Sequence, residues 1–235
     1  MTSGEGCHEA VVFDDRTDAG QRLGHRLARG TWTDPVVLGV PRGGIGVAFE
    51  AARMLRAPLD VIVVRKLHVA HHPEINLGAV GEQDVRLIDD EVLWRTGVGA
   101  DELADAVRDA RSELARLADL YRGNRPRTDV RGRTAIVVDD GIRTGSTAHT
   151  ACRVAHELGA AEVVLAVPVA PPQALERLEE VTDEQVCLAT VGPAEPISRS
   201  YRCFPPVRDA EVSRLLRRAV QSPGAGGAPQ SRDLR

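Results

Sequence analysis

The sequence predicts an α/β fold, a doubly wound and mainly parallel sheet of about five strands with helices on both faces. Three observations point there. Short apolar, β-branched runs alternate along the chain with longer amphipathic stretches. Twice, at 35–55 and at 135–158, such a run leads into a glycine-bearing loop and then a helical pattern. The length, 235 residues, suits one α/β domain with additions.

The elements follow in order. Little pattern precedes Phe13. Asp14-Asp15-Arg16-Thr17-Asp18 offers N-cap candidates, and 18–29 places Leu23 and Leu27 on one face, with Gly30 as a stop. This helix is expected outside the sheet, as part of a lid. Residues 35–40 read as a strand, Pro41-Arg42-Gly43-Gly44 as a loop, and 45–55 as a helix with Ile45, Ala48, Ala52 and Leu55 on one face. The glycines let backbone amides approach an anion closely. The next strand spans 60–64, with Arg65 and Lys66 at its carboxyl end.

Residues 67–77 lack periodicity and carry His68, His71, His72, Pro73 and Glu74. They read as a mobile polar loop rather than a transition-metal site. A hairpin is expected around Glu82-Gln83-Asp84, and Asp89 should cap a helix ending at Thr96. Leu103, Val107, Ala110, Leu114, Leu117 and Tyr121 form one seam of a long helix over 100–121. Asp105–Arg108, Glu113–Arg116 and Asp119–Arg122 are spaced to pair on its wet side. The seam is expected to pack on the protein's own core, a homodimer contact being the second reading. Beyond it lie strands at 163–169 and 186–191, a short helix at 172–180 and a helix at 209–220. Tyr201-Arg202-Cys203-Phe204-Pro205 reads as a lid piece offering an aromatic for base stacking. The Gly/Pro/Ser-rich stretch 221–235 is expected to be disordered.

The totals exclude several classes. Hydrophobic residues are 43% and charged ones 27%, as in ordinary soluble proteins. No apolar run approaches the ~20 residues of a membrane span, and the first residues lack a signal-peptide pattern. A net charge of −4 argues against a general nucleic-acid binder. The four cysteines (Cys7, Cys152, Cys187, Cys203) show no C-x-x-C pairing, so a reduced, cytoplasmic protein without structural zinc is expected. Of 30 basic residues only Lys66 is a lysine. A compact ammonium is therefore expected to matter there.

The most informative stretch is Ala135-Ile136-Val137-Val138-Asp139-Asp140-Gly141-Ile142-Arg143-Thr144-Gly145-Ser146-Thr147. A buried strand ends on two carboxylates. A loop with glycines and hydroxyls follows, and then a helix over 148–158 stopped by Gly159. Ligands of open α/β sheets bind at the strands' carboxyl ends, and a helix N-terminus favours anions. The pattern therefore predicts a phosphate in the loop and a polyhydroxylated or metal-bound group at the two Asp. A P-loop does not fit, because no Gly-Lys occurs. Nor does a dinucleotide fingerprint, since Phe49 stands where the third small residue belongs. An aspartyl-phosphate phosphatase would separate its two Asp by one residue, and these are adjacent. An ordinary Asp-Gly turn would not require Thr-Gly-Ser-Thr after it.

Val137 to Thr147 resembles the motif by which type I phosphoribosyltransferases bind phosphoribosyl pyrophosphate (PRPP): apolar residues, two acids, three variable residues, then Thr-Gly-x-Thr. The resemblance implies that Asp139 and Asp140 hold the ribose 2- and 3-hydroxyls. It implies that Gly141, Ile142, Arg143, Thr144, Gly145, Ser146 and Thr147 surround the 5-phosphate. Arg42, Gly43 and Gly44 resemble the family's pyrophosphate loop, which often carries a cis peptide, here at Pro41–Arg42. Arg65 and Lys66 would assist there, with Lys66 counted beside Asp139 and Asp140 as catalytic, and 67–77 as the closing loop.

The order of elements over 13–220 is similar to a group of bacterial phosphoribosyltransferases without an assigned acceptor. The implied protein is one domain over 1–220, with hood segments at 1–30 and 192–220. The implied reaction transfers 5-phosphoribosyl from PRPP to a nitrogen of a small nucleobase-like acceptor, releasing pyrophosphate. Mg2+ would be the cofactor, held mainly through PRPP and through water to Asp139 and Asp140. The alternatives are a PRPP-binding regulator without an acceptor and a degenerate assembly protein. In 6-oxopurine members an acid precedes the Thr-Gly, and here Arg143 does. That departure implies that hypoxanthine and guanine are poor acceptors.

Overall fold

The computed structural model describes residues 13–69 and 72–221. The chain opens with α1 (Arg16–Leu27), β1 (Val36–Gly39), α2 (Gly44–Leu55) and β2 (Leu59–Val61). Next come β3 (Val64–Val69), β4 (His72–Gly81), β5 (Arg86–Ile88), α3 (Asp90–Thr96) and α4 (Ala100–Arg122). It continues through β6 (Thr134–Val138), α5 (Ser146–Glu157), β7 (Glu162–Ala170), α6 (Pro172–Glu176), β8 (Glu184–Thr190) and α7 (Asp209–Gln221).

Five strands form a parallel sheet in the order β2-β1-β6-β7-β8. Each central strand is buried on both sides, which is why it reads as a continuous apolar run rather than an alternation. Val37, Ile136, Val138, Val164 and Ala166 pack with Leu23 and Leu27 of α1 and Val47 and Ala48 of α2. Their neighbours Val36, Leu38, Ala135, Val137 and Leu165 face the other way, onto Ala151, Cys152 and Ala155 of α5. Strand order runs outward in one direction from β1 and in the other from β6. The two adjacent strands therefore flank the topological switch point, where a crevice opens at their carboxyl ends.

A second, antiparallel sheet, β3-β4-β5, corrects the expectation of a loop at 67–77. Leu67 and Val69 are buried and His68 is exposed, a period of two too brief to stand out in sequence. Leu77 of the partner strand is fully buried as well. His71 lies outside the described residues. β2 also ends at Val61, so Arg65 and Lys66 belong to β3 and not to the end of a central strand.

The seam of α4 packs inward, with Val107, Leu114, Leu117 and Tyr121 buried in the main core. Arg116 pairs with Glu113 at 2.7 Å, and Arg108 with Asp105, as their spacing implies. Arg122 does not pair with Asp119. It is buried and donates to Asp60 Oδ1 at 3.1 Å, Glu82 Oε1 at 2.6 Å and the Val61 carbonyl at 2.6 Å. Two buried carboxylates attract it more strongly than one wet one, since charges inside a protein need partners. Gln221 ends α7, and the rest of the expected tail lies outside the described residues, as does Cys7. Cys152, Cys187 and Cys203 are free thiols.

Candidate active site

The register β1–β6 sets Gly39 beside Val138, so the loops that follow both strands enter the crevice side by side. The Val40 amide donates to the Val138 carbonyl at 2.8 Å, extending this pairing into the loops. Pro41–Arg42 is a cis peptide, at the position expected from the sequence. The two loops touch through glycine. A Cβ on Gly43 would overlap Asp140 Oδ2, and one on Gly44 would lie 2.7 Å from the Val138 carbonyl oxygen and 2.8 Å from Asp139 Cα. Only a residue without a side chain allows this approach.

Within the second loop, Gly141 and Gly145 take φ of +153° and +90°, backbone that side-chain-bearing residues rarely adopt. Ile142 is buried, and its amide donates to the Val169 carbonyl at 2.9 Å. It anchors the loop, and its N–H is already engaged by that bond. Arg143 and Thr144 are exposed. Gly145 precedes α5 and supplies no side-chain cap. The first intrahelical bond runs from the His149 amide to the Gly145 carbonyl, so the amides before it point out of the helix start. The Ser146 hydroxyl is buried with no hydrogen-bond partner among the described residues. A buried hydroxyl without a partner fits a site that a ligand oxygen completes.

The acid pair is asymmetric. Asp139 Oδ1 accepts the Asp140 amide at 2.8 Å. Burial, and then the charge of Asp140, push the Asp139 carboxyl well above its ordinary range. Asp140 Oδ2 accepts from Arg16 Nε at 2.8 Å, and its carbonyl accepts the Tyr201 hydroxyl at 2.6 Å. Burial and then the Asp140 charge also raise the Tyr201 pKa, which keeps that hydroxyl a donor. Tyr201 is buried and stacks between Phe13 and Phe204, so of the two aromatics in the expected lid piece this one is a clasp.

The expected pyrophosphate cations are more dispersed. Arg42 reaches outward to Asp209 of α7 at 2.8 Å, and the Tyr121 hydroxyl donates to the same carboxylate at 2.6 Å. Arg65, Lys66 and His68 line a groove of about 640 Å³ against Glu102, Asp105, Asp109 and Glu113 of α4. The Arg116 hydrogen bond holds the Glu113 carboxyl below its usual range, with smaller help from the charges of Arg65 and Arg42. Those two cations thus share one electrostatic neighbourhood beside the first loop. Lys66 is exposed in that groove, on β3 rather than in either glycine loop.

Arg16, Tyr201 and Asp209 have parts here that sequence reasoning missed. One signal for Arg16 existed: a cation in the first turn of a helix opposes the macrodipole, so something else must hold it. Among the described residues no group of three or more His, Cys, Asp or Glu could hold a metal, and no helix is long and apolar enough to cross a membrane.

The family model of the phosphoribosyl transferase domain matches residues 16–192. Two proteins of Mycobacterium tuberculosis, from strains H37Rv and CDC 1551 / Oshkosh, are provisionally named phosphoribosyl transferases. Each is 46% identical over 217 residues, covering 92% of this chain and 49% of the relative. The chain therefore spans about half the length of the curated relatives it matches. The crystal structure of a Thermus thermophilus protein superposes with a TM-score of 0.75 at 37% identity, over 92% of this chain and 100% of the other. Loops, acid pair and relatives agree, and the chain belongs to the phosphoribosyl transferase domain family.

Proposed function

We propose that the protein transfers the 5-phosphoribosyl group of PRPP to a nitrogen of a small, nucleobase-like acceptor and releases pyrophosphate. The observation that carries this reading is the meeting of two glycine loops over an acid pair at the switch point. One loop leads into α5, whose start offers free amides and the unpartnered Ser146 hydroxyl to the 5-phosphate. Gly141, Thr144, Gly145 and Thr147 complete that cradle. The other loop, Arg42-Gly43-Gly44, opens α2 and would hold the pyrophosphate, with Arg65 and Lys66 drawn in from the adjoining groove.

In displacement at the anomeric carbon the sugar gains positive charge while the leaving group carries negative charge. Asp139 Oδ2 and Asp140 Oδ1 take no hydrogen bond from the described residues in this structure. They would accept the ribose hydroxyls and favour the developing cation. These hard oxygen donors also fit Mg2+ held through water and PRPP, rather than by an all-protein cage. When bound, the ion would neutralise the leaving pyrophosphate. Arg42 would have to release Asp209 to reach pyrophosphate, which makes α7 part of the donor site's surroundings.

Titration calorimetry with PRPP, with and without Mg2+, tests the donor. Pyrophosphate release across a panel of nucleobases and amines tests the reaction. Saturable PRPP binding with release of pyrophosphate by at least one acceptor is expected. No binding heat under either condition removes the reading, and binding without any productive acceptor turns it into a PRPP sensor.

A further inference from the structure

Arg16 stands out because its position conflicts with the helix that carries it. It is the first residue of α1, capped by Asp15, whose carboxylate accepts the amides of Thr17 and Asp18. A positive charge there opposes the helix dipole, so helix stability does not explain it. The side chain leaves the helix and is only 12% exposed. Its Nε donates to Asp140 Oδ2 at 2.8 Å and its Nη1 to the Pro205 carbonyl at 2.8 Å. The guanidinium carbon lies 3.7 Å from the centre of the Phe204 ring. Phe204 in turn stacks on Tyr201, whose hydroxyl grips the Asp140 carbonyl. Segments from both ends of the chain thus hold one residue of the acid pair, by its carboxylate and by its backbone.

We propose that Arg16 is a positioning residue for Asp140, orienting its carboxylate so that Oδ1 meets the sugar diol. This rests on the donor reading above. Two adjacent carboxylates repel each other, and each has several rotamers of similar energy when unheld. A planar guanidinium, itself clamped by Pro205 and Phe204, removes that freedom before the ligand arrives. The hood is then part of the sugar site and not a separate cover. The 5-phosphate cradle is built on the start of α5, whereas the Arg16 side chain contacts Asp140, Pro205 and the Phe204 ring, so the cradle should not sense its loss.

That separation gives the test. Wild type, Arg16→Met and Arg16→Lys are titrated calorimetrically with PRPP and Mg2+, with ribose 5-phosphate, and with inorganic phosphate, beside a thermal melt. Arg16→Met should weaken both sugar ligands about tenfold, the scale of one lost charge-assisted contact, and leave phosphate unchanged. Arg16→Lys, which keeps the charge without the planar fork, should recover only part of the loss. If Arg16→Met does not fold, Arg16→Gln, which keeps a donor without the charge, repeats the comparison. Unaltered sugar affinity in the neutral variant overturns the inference, and so does an equal loss for sugar ligands and phosphate. A wild type that binds no sugar ligand overturns the donor reading itself, and the inference with it.

Discussion

At the scale of single residues, the acid pair makes the sharpest expectation. Asp139 and Asp140 follow a buried strand, yet both are only half-buried themselves. Asp139→Asn and Asp140→Asn should each lower PRPP-dependent pyrophosphate release at least about a hundredfold, as loss of preorganised charge stabilisation does. Thermal melts of both should stay near wild type. A large fall in melting temperature with activity spared would make the carboxylates structural. Arg143, exposed at the loop tip, carries a permanent cation that cannot accept a proton. Hypoxanthine and guanine should therefore be poor acceptors, and efficient formation of IMP or GMP by the purified protein would refute this. Lys66→Arg should also change PRPP affinity or turnover, because a guanidinium differs from an ammonium in reach and shape. Equal kinetics would make the lone lysine an accident of composition.

At the scale of elements, the two loops work as a pair because glycine lets them touch. Gly43→Ala would drive a methyl group into Asp140 Oδ2. The carboxylate is the part that can move, so PRPP binding should weaken more than stability, which calorimetry and a melt on one sample would distinguish. Gly44→Ala meets the Val138 carbonyl and the Asp139 backbone, which cannot swing aside. It should destabilise the fold by about 1–3 kcal/mol, the scale of overpacking in a filled interior. Chemical denaturation gives that number, and a shift below about 0.5 kcal/mol would show that the loops can separate.

At the scale of the whole molecule, Arg122 joins parts distant in sequence: β2 through Asp60, the end of β4 through Glu82, and α4 itself. The Glu82 carboxyl is held below its ordinary range. Burial works against its ionisation, but the Arg122 hydrogen bond and charge, with Arg127, outweigh it. A depressed folded-state value means that this stabilisation is fully present above the ordinary carboxylate pKa, about 4.3, and is lost as pH falls through the folded value. Stability should therefore fall with acid below about pH 4.3, and Glu82→Gln should flatten that fall. Arg122→Met should cost about 3–5 kcal/mol, because it leaves the buried Asp60 without a cation and Glu82 with Arg127 alone. A loss below about 1 kcal/mol would show that water reaches the network.

The sequence by itself determined the parallel sheet, the two strand–loop–helix units and the acid pair. Each of these is local: burial on both faces appears as an apolar run, and a close backbone approach as glycine. The hairpin of β3 and β4 was not legible, because its alternation is short and Leu67 and Leu77 are buried in the cluster that holds Val107, Leu114 and Leu117 of the distant α4. Nor were the partners of Arg122, Tyr201 and Arg16 legible. They lie far along the chain: 62 residues for Arg122–Asp60, 61 for Tyr201–Asp140 and 124 for Arg16–Asp140. Charged and aromatic side chains are long enough to choose among several neighbours. Which neighbour each one meets is decided only when α1, α4 and the segment around Tyr201 pack against the sheets.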